Sequence, residues 1–218
     1  LASSIIAQQV SGAAAKSSKA KFIALFKPSN SDGGTSQPQL WDEDQPQTQP
    51  QSQQPFRSPF FPSPAQVAAT PIETLRTAGL SQRKAEYLHS LSQAFLSGTL
   101  STTTLSSAPD EELIALLTSL RGIGRWTAEM FAVFALKRMD VFSTGDLGVQ
   151  RGLARFLGRD VGRLRNGGGD RKGKWKYMSE REMTEVSERF RPYRSLFMWY
   201  MWRVEEVDVE AMEGSSKG

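Results

Sequence analysis

The 218-residue chain contains no cysteine and a single histidine, His89. The absence of cysteine excludes disulfides, thiol nucleophiles and cysteine-ligated zinc or iron–sulfur centres. A lone histidine argues against a histidine-based metal site and against a serine–histidine triad. Any catalysis must therefore use carboxylates, hydroxyls, lysines or aromatic surfaces.

The chain also lacks a long hydrophobic run. No stretch approaches the ~20 apolar residues of a membrane-spanning helix, so we expect a soluble protein without membrane contact. The first residues carry no basic leader and resemble the interior of a helix, so we expect further residues of the same domain before Leu1.

Positive charge is concentrated in one part of the chain, although the formal net charge is only +4. Nine lysines and arginines, against two aspartates, fall between Arg151 and Lys176. Such a block suits a polyanion such as DNA, but it is also compatible with a solvated loop.

Hydrophobic spacing divides the chain into helical and low-complexity parts. Residues 1–27 predict N-terminal helices with a break at Ser11-Gly12, and residues 28–62, rich in Gln, Pro and Ser, predict a disordered insertion. Residues 63–206 predict the main helical domain, with a basic loop over 159–176, and residues 207–218 predict an acidic and polar tail. No alternating strand pattern occurs, so the predicted fold class is all-α.

Capping signals mark the ends of several helices in the main domain. Ser63-Pro64 predicts a start, Thr70 to Glu73 predicts a capping box, and Gly79 predicts a left-handed stop. Further helices are predicted from Ser81 to Gly98, from about Ser107 to Leu120, from about Arg125 to Lys137, from about Leu147 to Leu157, and from about Ser195 to Glu206.

A glycine-containing turn, Gly122-Ile123-Gly124, joins two of the predicted amphipathic helices. Glycines allow a sharp turn and a close approach to a phosphate, which the amides of the following helix can then face. Ile123 between them is expected to anchor the turn to its own core. The alternative is an ordinary helix–turn–helix connection in which glycine serves only geometry.

Asp146 stands at the predicted start of a helix, ~20 residues beyond this turn. It is either a helix N-cap, a position that aspartate favours, or a carboxylate aimed at whatever the turn holds.

The order of these features resembles the helix–hairpin–helix–Gly/Pro–Asp DNA glycosylases, and within them the 3-methyladenine glycosylase II branch and its fungal relatives. The strings that carry the resemblance are IIAQQVSGAAAK, GLSQRKAEYLHSLSQAF, LRGIGRWTAEMFAVFALKRMDVF, TGDLGVQRG and FRPYRSLFMWYMWR. They cover most of the chain outside the Gln/Pro-rich segment and the basic loop.

The resemblance implies a monofunctional enzyme of base excision repair that flips alkylated purines, such as 3-methyladenine and 7-methylguanine, out of damaged duplex DNA and hydrolyses the N-glycosidic bond. It implies Asp146 as the catalytic carboxylate. Trp126, Met130 and Trp202 would line the base pocket, although both tryptophans are also compatible with ordinary aromatic core. Trp126 occupies the position of the Schiff-base lysine of strand-cleaving members, so no lyase activity is expected.

DNA contacts are implied for Gln9, at the position of an apolar wedge in the bacterial enzyme, and for the hairpin. The hairpin positions are Gly122, Ile123, Gly124, Arg125 and Thr127. The superfamily also implies a monovalent cation on the carbonyls of Gly122 and Gly124, whereas no redox cofactor or catalytic metal is expected. Met130 stands where the bacterial pocket has a tyrosine.

Two other functions stay open: a noncatalytic helix–hairpin–helix module that only binds DNA, and a glycosylase for deaminated or mismatched bases. The reaction and the fungal resemblance lead us to expect a nuclear protein, and we expect a monomer.

Overall fold

The computed structural model describes residues 1–27, 60–165 and 177–214. Every regular element within these ranges is helical, so the all-α prediction is confirmed. Most of the predicted insertion (28–62) and of the predicted basic loop (159–176) lies outside the described residues. Within the described part of the chain, no helix is both long enough and apolar enough to cross a bilayer.

The chain forms two compact units, Ile6–Gln93 on the one hand and Leu1–Ile5 with Ala94–Gly218 on the other. The first five helices are α1 (Ala2–Ala7), α2 (Gly12–Ala24), α3 (Pro64–Ala69), α4 (Ile72–Arg76) and α5 (Gln82–Leu96). The next seven are α6 (Thr102–Ser107), α7 (Asp110–Thr118), α8 (Arg125–Phe134), α9 (Leu147–Phe156), α10 (Val161–Arg165), α11 (Glu180–Ser187) and α12 (Arg194–Gly214), with a 3₁₀ turn at Glu188–Phe190.

Serine caps define helix starts in the unit Ile6–Gln93. Ser11 caps α2 by accepting a hydrogen bond from the Ala14 amide at 3.3 Å, which confirms the predicted break after α1. Ser63 and Gln66 form a capping box at the start of α3, because each side chain bonds the other residue's backbone amide.

The fully buried Phe22 contacts the ring of Phe61 at a centroid distance of 6.0 Å.

The predicted capping box from Thr70 to Glu73 is wrong. The Thr70 hydroxyl donates back to the carbonyl of Gln66 at 2.8 Å, and Thr70 is the C-cap of α3. The N-cap of α4 is Pro71, which makes no side-chain capping bond. Threonine hydroxyls often bond a carbonyl four residues back, and here that bond competes with the forward cap.

In the second unit, α9 packs against α12 closely enough to require glycine. A Cβ built on Gly152 of α9 would lie 1.9 Å from the carbonyl oxygen of Met201 on α12. The core of this unit collects around that contact and includes Phe142, Val149, Leu153, Ala154, Tyr177, Met178, Met183, Phe197, Met198 and Met201. The contact between α9 and α12 also fixes the position of the start of α9 relative to Trp202, the residue that follows Met201.

Three short helices were not predicted: α6, α10 and α11. Ser107 is the last residue of α6, so it does not start the next helix, which begins at Asp110 behind Pro109. The start of α11 does carry a sequence signal, since Ser179 and Glu182 form a capping box.

The last helix, α12, continues to Gly214, eight residues beyond the predicted end at about Glu206. Neither glycine nor proline interrupts the chain between these two positions, and glutamate, alanine and methionine there are good helix formers. Part of the predicted tail over 207–218 is therefore helical.

Candidate active site

Asp146 is the N-cap of α9, and its carboxylate also accepts two indole N–H groups. Oδ1 accepts from the Val149 amide at 2.9 Å, which is the capping bond. The same oxygen accepts from Trp202 Nε1 at 3.0 Å, and Oδ2 accepts from Trp126 Nε1 at 2.7 Å. Three donors from three different helices therefore hold one half-buried carboxylate in a single orientation.

The space around Asp146 depends on a glycine in the first turn of α9. A Cβ on Gly148 would lie 3.0 Å from Cδ1 of Trp202 and 3.2 Å from Oδ1 of Asp146. A larger residue would therefore displace the indole, the carboxylate or both. This role of Gly148 has no specific signal in the sequence.

An aromatic surface extends from the carboxylate along α8. Trp126, Met130 and Phe134 follow each other at four-residue intervals and so share one face of the helix. Trp126 and Phe134 are both about half exposed, at 52% and 54%. The Phe134 ring stacks on Trp202 at a centroid distance of 5.8 Å and an interplanar angle of 14°.

Phe134 was missing from the predicted pocket, although its spacing from Met130 could have identified it. Met130 and Trp202 are partly buried and pack against the core, and their place in a base pocket stays a prediction. Electron-rich rings of this kind attract a cationic ring, and a carboxylate beside them stabilises developing positive charge.

The hairpin between α7 and α8 has the predicted geometry. Gly122 has a φ of +90°, which strongly favours glycine, and Ile123 is buried with 4% exposure, as expected of the residue that anchors the turn. Gly124 is the N-cap of α8, and a Cβ on it would contact nothing within 4 Å. A side chain at this position would therefore enter open space, and the DNA contact of Gly124 stays a prediction.

The other predicted hairpin residues lie in the first turn of α8. Arg125 has a side chain that is 68% exposed and pairs with Glu129 at 2.8 Å. Thr127 is half-buried. Both DNA contacts stay predictions.

The cation site on the carbonyls of Gly122 and Gly124 stays a prediction. The Gly124 carbonyl already accepts the first backbone hydrogen bond of α8, from Ala128 at 3.0 Å, so it could offer a cation only its second lone pair. No cluster of acidic or histidine side chains suited to a metal ion occurs among the residues that the structure describes.

Gln9 lies in the turn between α1 and α2, in the unit Ile6–Gln93. It is exposed and has a φ of +56°, an uncommon backbone conformation for a residue other than glycine. A strained, exposed residue is compatible with the predicted wedge, which stays a prediction.

A second feature of α8 was not predicted from sequence: the buried carboxylate of Glu129. Its side chain is only 5% exposed. It borders a cavity of about 730 Å³ whose described lining also includes Asp110, Asp140 and Arg194. Asp146 and the two tryptophans are not among those residues, so this cavity is separate from the candidate active site.

The chain belongs to the HhH-GPD superfamily of base excision DNA repair proteins, whose family model matches residues 2–161. The predicted superfamily is therefore confirmed.

The relatives narrow the class further and confirm the predicted 3-methyladenine branch. A DNA-3-methyladenine glycosylase of Saccharomyces cerevisiae is 34% identical over 97% of this chain and 68% of its own length. The crystal structure of a Bacillus halodurans DNA-3-methyladenine glycosidase is similar with a TM-score of 0.66 and 30% identity, over 96% of this chain and 75% of that one.

A third relative is a Schizosaccharomyces pombe 3-methyladenine DNA glycosylase solved in complex with abasic DNA. It matches with a TM-score of 0.57 and 26% identity, over 93% of this chain and 77% of that one. The matches to named glycosylases confirm the prediction of an alkylbase DNA glycosylase.

Proposed function

We propose that this chain is the catalytic domain of a monofunctional DNA glycosylase that hydrolyses the N-glycosidic bond of alkylated purines, with Asp146 as the catalytic carboxylate. The observation that carries the proposal is the Asp146 carboxylate held by the indole N–H groups of Trp126 and Trp202 beside a half-exposed aromatic surface. A helix cap alone would not need either tryptophan.

The hydrolysis requires little help at the base. A purine alkylated at N3 or N7 is positively charged, so it leaves as a neutral base when the bond from C1′ to its nitrogen breaks and the electron pair moves to that nitrogen. Positive charge then develops on the sugar, and the Asp146 carboxylate stabilises it. Water adds its oxygen to C1′, and its proton passes to Asp146.

Selection of the base follows from the aromatic surface. The rings of Trp126, Phe134 and Trp202 offer electron-rich faces, and each contact with a cationic purine contributes roughly 0.5–2 kcal/mol depending on desolvation. Alkylation damage also weakens the pairing or stacking of the base, which lowers the cost of flipping it out of the duplex.

DNA is held by the hairpin in this proposal. The amides at the start of α8 face a backbone phosphate across the open space beside Gly124, with Arg125 and Thr127 alongside. Gln9 fills the gap that the flipped base leaves, by polar contacts. The solved complex of the S. pombe relative with abasic DNA supports a duplex that lacks a base as the product.

The absence of an amine at position 126 carries the monofunctional assignment. Without a lysine there, no Schiff base forms with C1′ and the strand is not cleaved. The expected product is an intact strand with an abasic site.

Base release from defined duplexes tests the function. The protein is incubated with duplexes that carry 3-methyladenine, 7-methylguanine, hypoxanthine or uracil, and free base and strand cleavage are followed separately. We expect release of the two alkylated purines and strand cleavage only after alkali. Release of hypoxanthine or uracil alone would favour a glycosylase for deaminated bases, DNA binding without release would favour a noncatalytic module, and nicking without alkali would contradict the monofunctional assignment.

We further propose that the protein is a nuclear monomer. The fungal relatives and the DNA substrate support a nuclear location. Sedimentation of the purified protein and imaging of the fluorescently tagged full-length protein test these two points.

A further inference from the structure

We propose that Glu129 is a positioning residue that links the DNA-gripping hairpin to the catalytic carboxylate through Ser143. This inference rests on the proposed function, since it concerns how the same site is assembled. It assigns a role to a buried charge that the hydrolysis itself does not use.

The carboxylate of Glu129 lies inside the protein and is held by two donors. Oε2 accepts from the Ser143 hydroxyl at 2.5 Å, and Oε1 accepts from Arg125 Nε at 2.8 Å. Ser143 and Glu129 are both buried. Burying a carboxylate is costly unless it is paired and hydrogen-bonded, so these two contacts offset the cost of burying Glu129.

Ser143 anchors the turn that leads into α9. Its carbonyl accepts a bond from the Asp146 amide at 3.3 Å, and its own amide contacts Met198 Sδ on α12 at 3.2 Å. The hydroxyl bond to Glu129 therefore ties this turn to α8. Asp146, at the end of the turn, reaches Trp126 on the same helix.

Helix α8 thus contacts the turn over 143–146 at two points. The Glu129–Ser143 bond is buried, whereas the Trp126–Asp146 bond is largely exposed to water. A buried bond is shielded from competing water, so the Glu129–Ser143 bond fixes the distance between α8 and the turn at which the Trp126–Asp146 bond can form. Removing the Glu129–Ser143 bond should therefore make the position of Asp146 less fixed, although Asp146 itself is unchanged.

The second contact of Glu129 reaches the hairpin. Arg125 directly follows Gly124, and its Nε–H uses only one of the five guanidinium donors. Its side chain is still 68% exposed. Glu129 therefore orients the guanidinium that the proposed function places against a phosphate, while its other oxygen holds the turn before Asp146.

The test uses Ser143→Ala and Glu129→Gln, with Ser187→Ala as the matched control. Ser187 is also buried in the same unit, at 1% exposure, and among the described residues its hydroxyl bonds the nearby carbonyl of Thr184. Single-turnover base release, the Kd for undamaged duplex, and the Trp126 indole N–H resonance are measured well below the Tm of each variant. The resonance is one of five tryptophan indole signals and is identified by Trp126→Phe.

We expect Ser143→Ala to slow base release about 10-fold with a Kd within about twofold of the unsubstituted protein, because one hydrogen bond to a charged group is removed. Glu129→Gln should slow release similarly and also weaken DNA binding, because Arg125 loses its anionic partner. Both should shift the Trp126 resonance, whereas Ser187→Ala should change neither the rate nor the resonance.

Equal rates in Ser143→Ala and Ser187→Ala, or an unmoved Trp126 resonance in both test variants, would overturn the positioning role. If the unsubstituted protein releases no base, the proposed function fails, and the resonance alone decides whether Glu129 and Ser143 position Asp146.

Discussion

The two oxygens of a single carboxylate can accept several hydrogen bonds, so one aspartate can cap a helix and also accept hydrogen bonds from other side chains. At Asp146 the capping bond to Val149 uses Oδ1 alone, and the indoles of Trp126 and Trp202 reach Oδ2 and Oδ1. The capping bond therefore leaves acceptor sites on the carboxylate for the proposed catalytic role. It fixes the carboxylate at the end of α9, and the two indoles then set its direction.

The hydrogen bond from the Trp202 indole N–H can be tested separately from the stacking of its aromatic ring. We expect Trp202→Phe to slow base release roughly 10- to 100-fold, because it removes one hydrogen bond to a charged group, worth about 1.5–3 kcal/mol, while an aromatic ring remains to stack on Phe134. Single-turnover base release from an alkylated duplex measures this effect.

The matched control is Trp199→Phe on the same helix, at a tryptophan that is 45% exposed and bonds no carboxylate in the described structure. A Trp202→Phe protein as fast as Trp199→Phe would show that the indole N–H is not needed.

At the scale of elements, the site depends on how closely α9 approaches α12. Gly152 allows a backbone contact that no side chain could tolerate, since a Cβ there would meet the Met201 carbonyl at 1.9 Å. The residue after Met201 is Trp202, so the packing of α9 against α12 places the Trp202 indole within hydrogen-bond distance of Asp146.

We expect Gly152→Ala to lower the free energy of unfolding by about 3 kcal/mol or more, because the helices must move apart. Urea denaturation followed by circular dichroism measures the change. The control is Gly12→Ala in α2, where a Cβ would meet nothing within 4 Å and little change is expected. Equal stability of the two variants would contradict the close packing.

An ion-pair network holds the loop before the site to the start of α12. Asp140 accepts from Arg194 Nε at 2.7 Å and from an Arg191 amino group at 2.8 Å. Partial burial alone would raise the pKa of Asp140, but the hydrogen bonds and charge of Arg194 and the charge of Arg191 outweigh it and hold that pKa below its usual value.

A lowered pKa makes this contribution depend on pH in a defined direction. The unfolded chain binds the proton more readily, so Asp140 stabilises the fold above about pH 4 and loses that effect as the pH falls through its lowered pKa. We expect Asp140→Asn to destabilise by about 1–3 kcal/mol at neutral pH and by progressively less in acid.

Urea denaturation between about pH 2 and 7 measures the difference. Glu185→Gln is the control, since Glu185 and its partner Arg181 are both well exposed and such pairs contribute little. A destabilisation by Asp140→Asn that does not change with pH would contradict the ionic role of Asp140.

At the scale of the whole molecule, the site joins residues that are far apart in sequence. The hairpin and the position of Asp146 could be predicted because glycine, an apolar anchor and an N-cap have local signals. On α8, Phe134 follows Met130 and Glu129 follows Arg125 at four-residue spacing. The sequence alone does not show which face of this helix meets Trp202 and which meets Ser143. The need for glycine at positions 148 and 152 likewise arises only when α9 meets α12, because it depends on side chains and carbonyls about 50 residues away.

The basic segment, which is the loop predicted over 159–176, concerns the charge of the whole molecule, because we expect it to attract DNA phosphates over distance rather than through contacts in the site. We expect replacement of Lys172, Lys174 and Lys176 by Gln to weaken binding to undamaged DNA and to reduce the salt slope of log Kd by up to about 0.9 for each phosphate that is no longer neutralised. The single-turnover rate on saturated substrate should not change.

Lys16, Lys19 and Lys21 on α2, replaced together by Gln, provide a control with the same change in charge. An identical salt slope in the two triple variants would show that only the net charge matters and that the segment binds no phosphates of its own.

Asp146→Asn shows whether the Asp146 carboxylate performs the hydrolysis, as we propose. Asparagine caps a helix as well as aspartate does, so the fold and the start of α9 are expected to persist, as circular dichroism and thermal unfolding can verify. Single-turnover release of an alkylated purine should fall by about 10²–10⁴-fold while affinity for the same duplex stays unchanged. A folded Asp146→Asn protein that releases the base within a few-fold of the unsubstituted rate would contradict the catalytic role of this carboxylate.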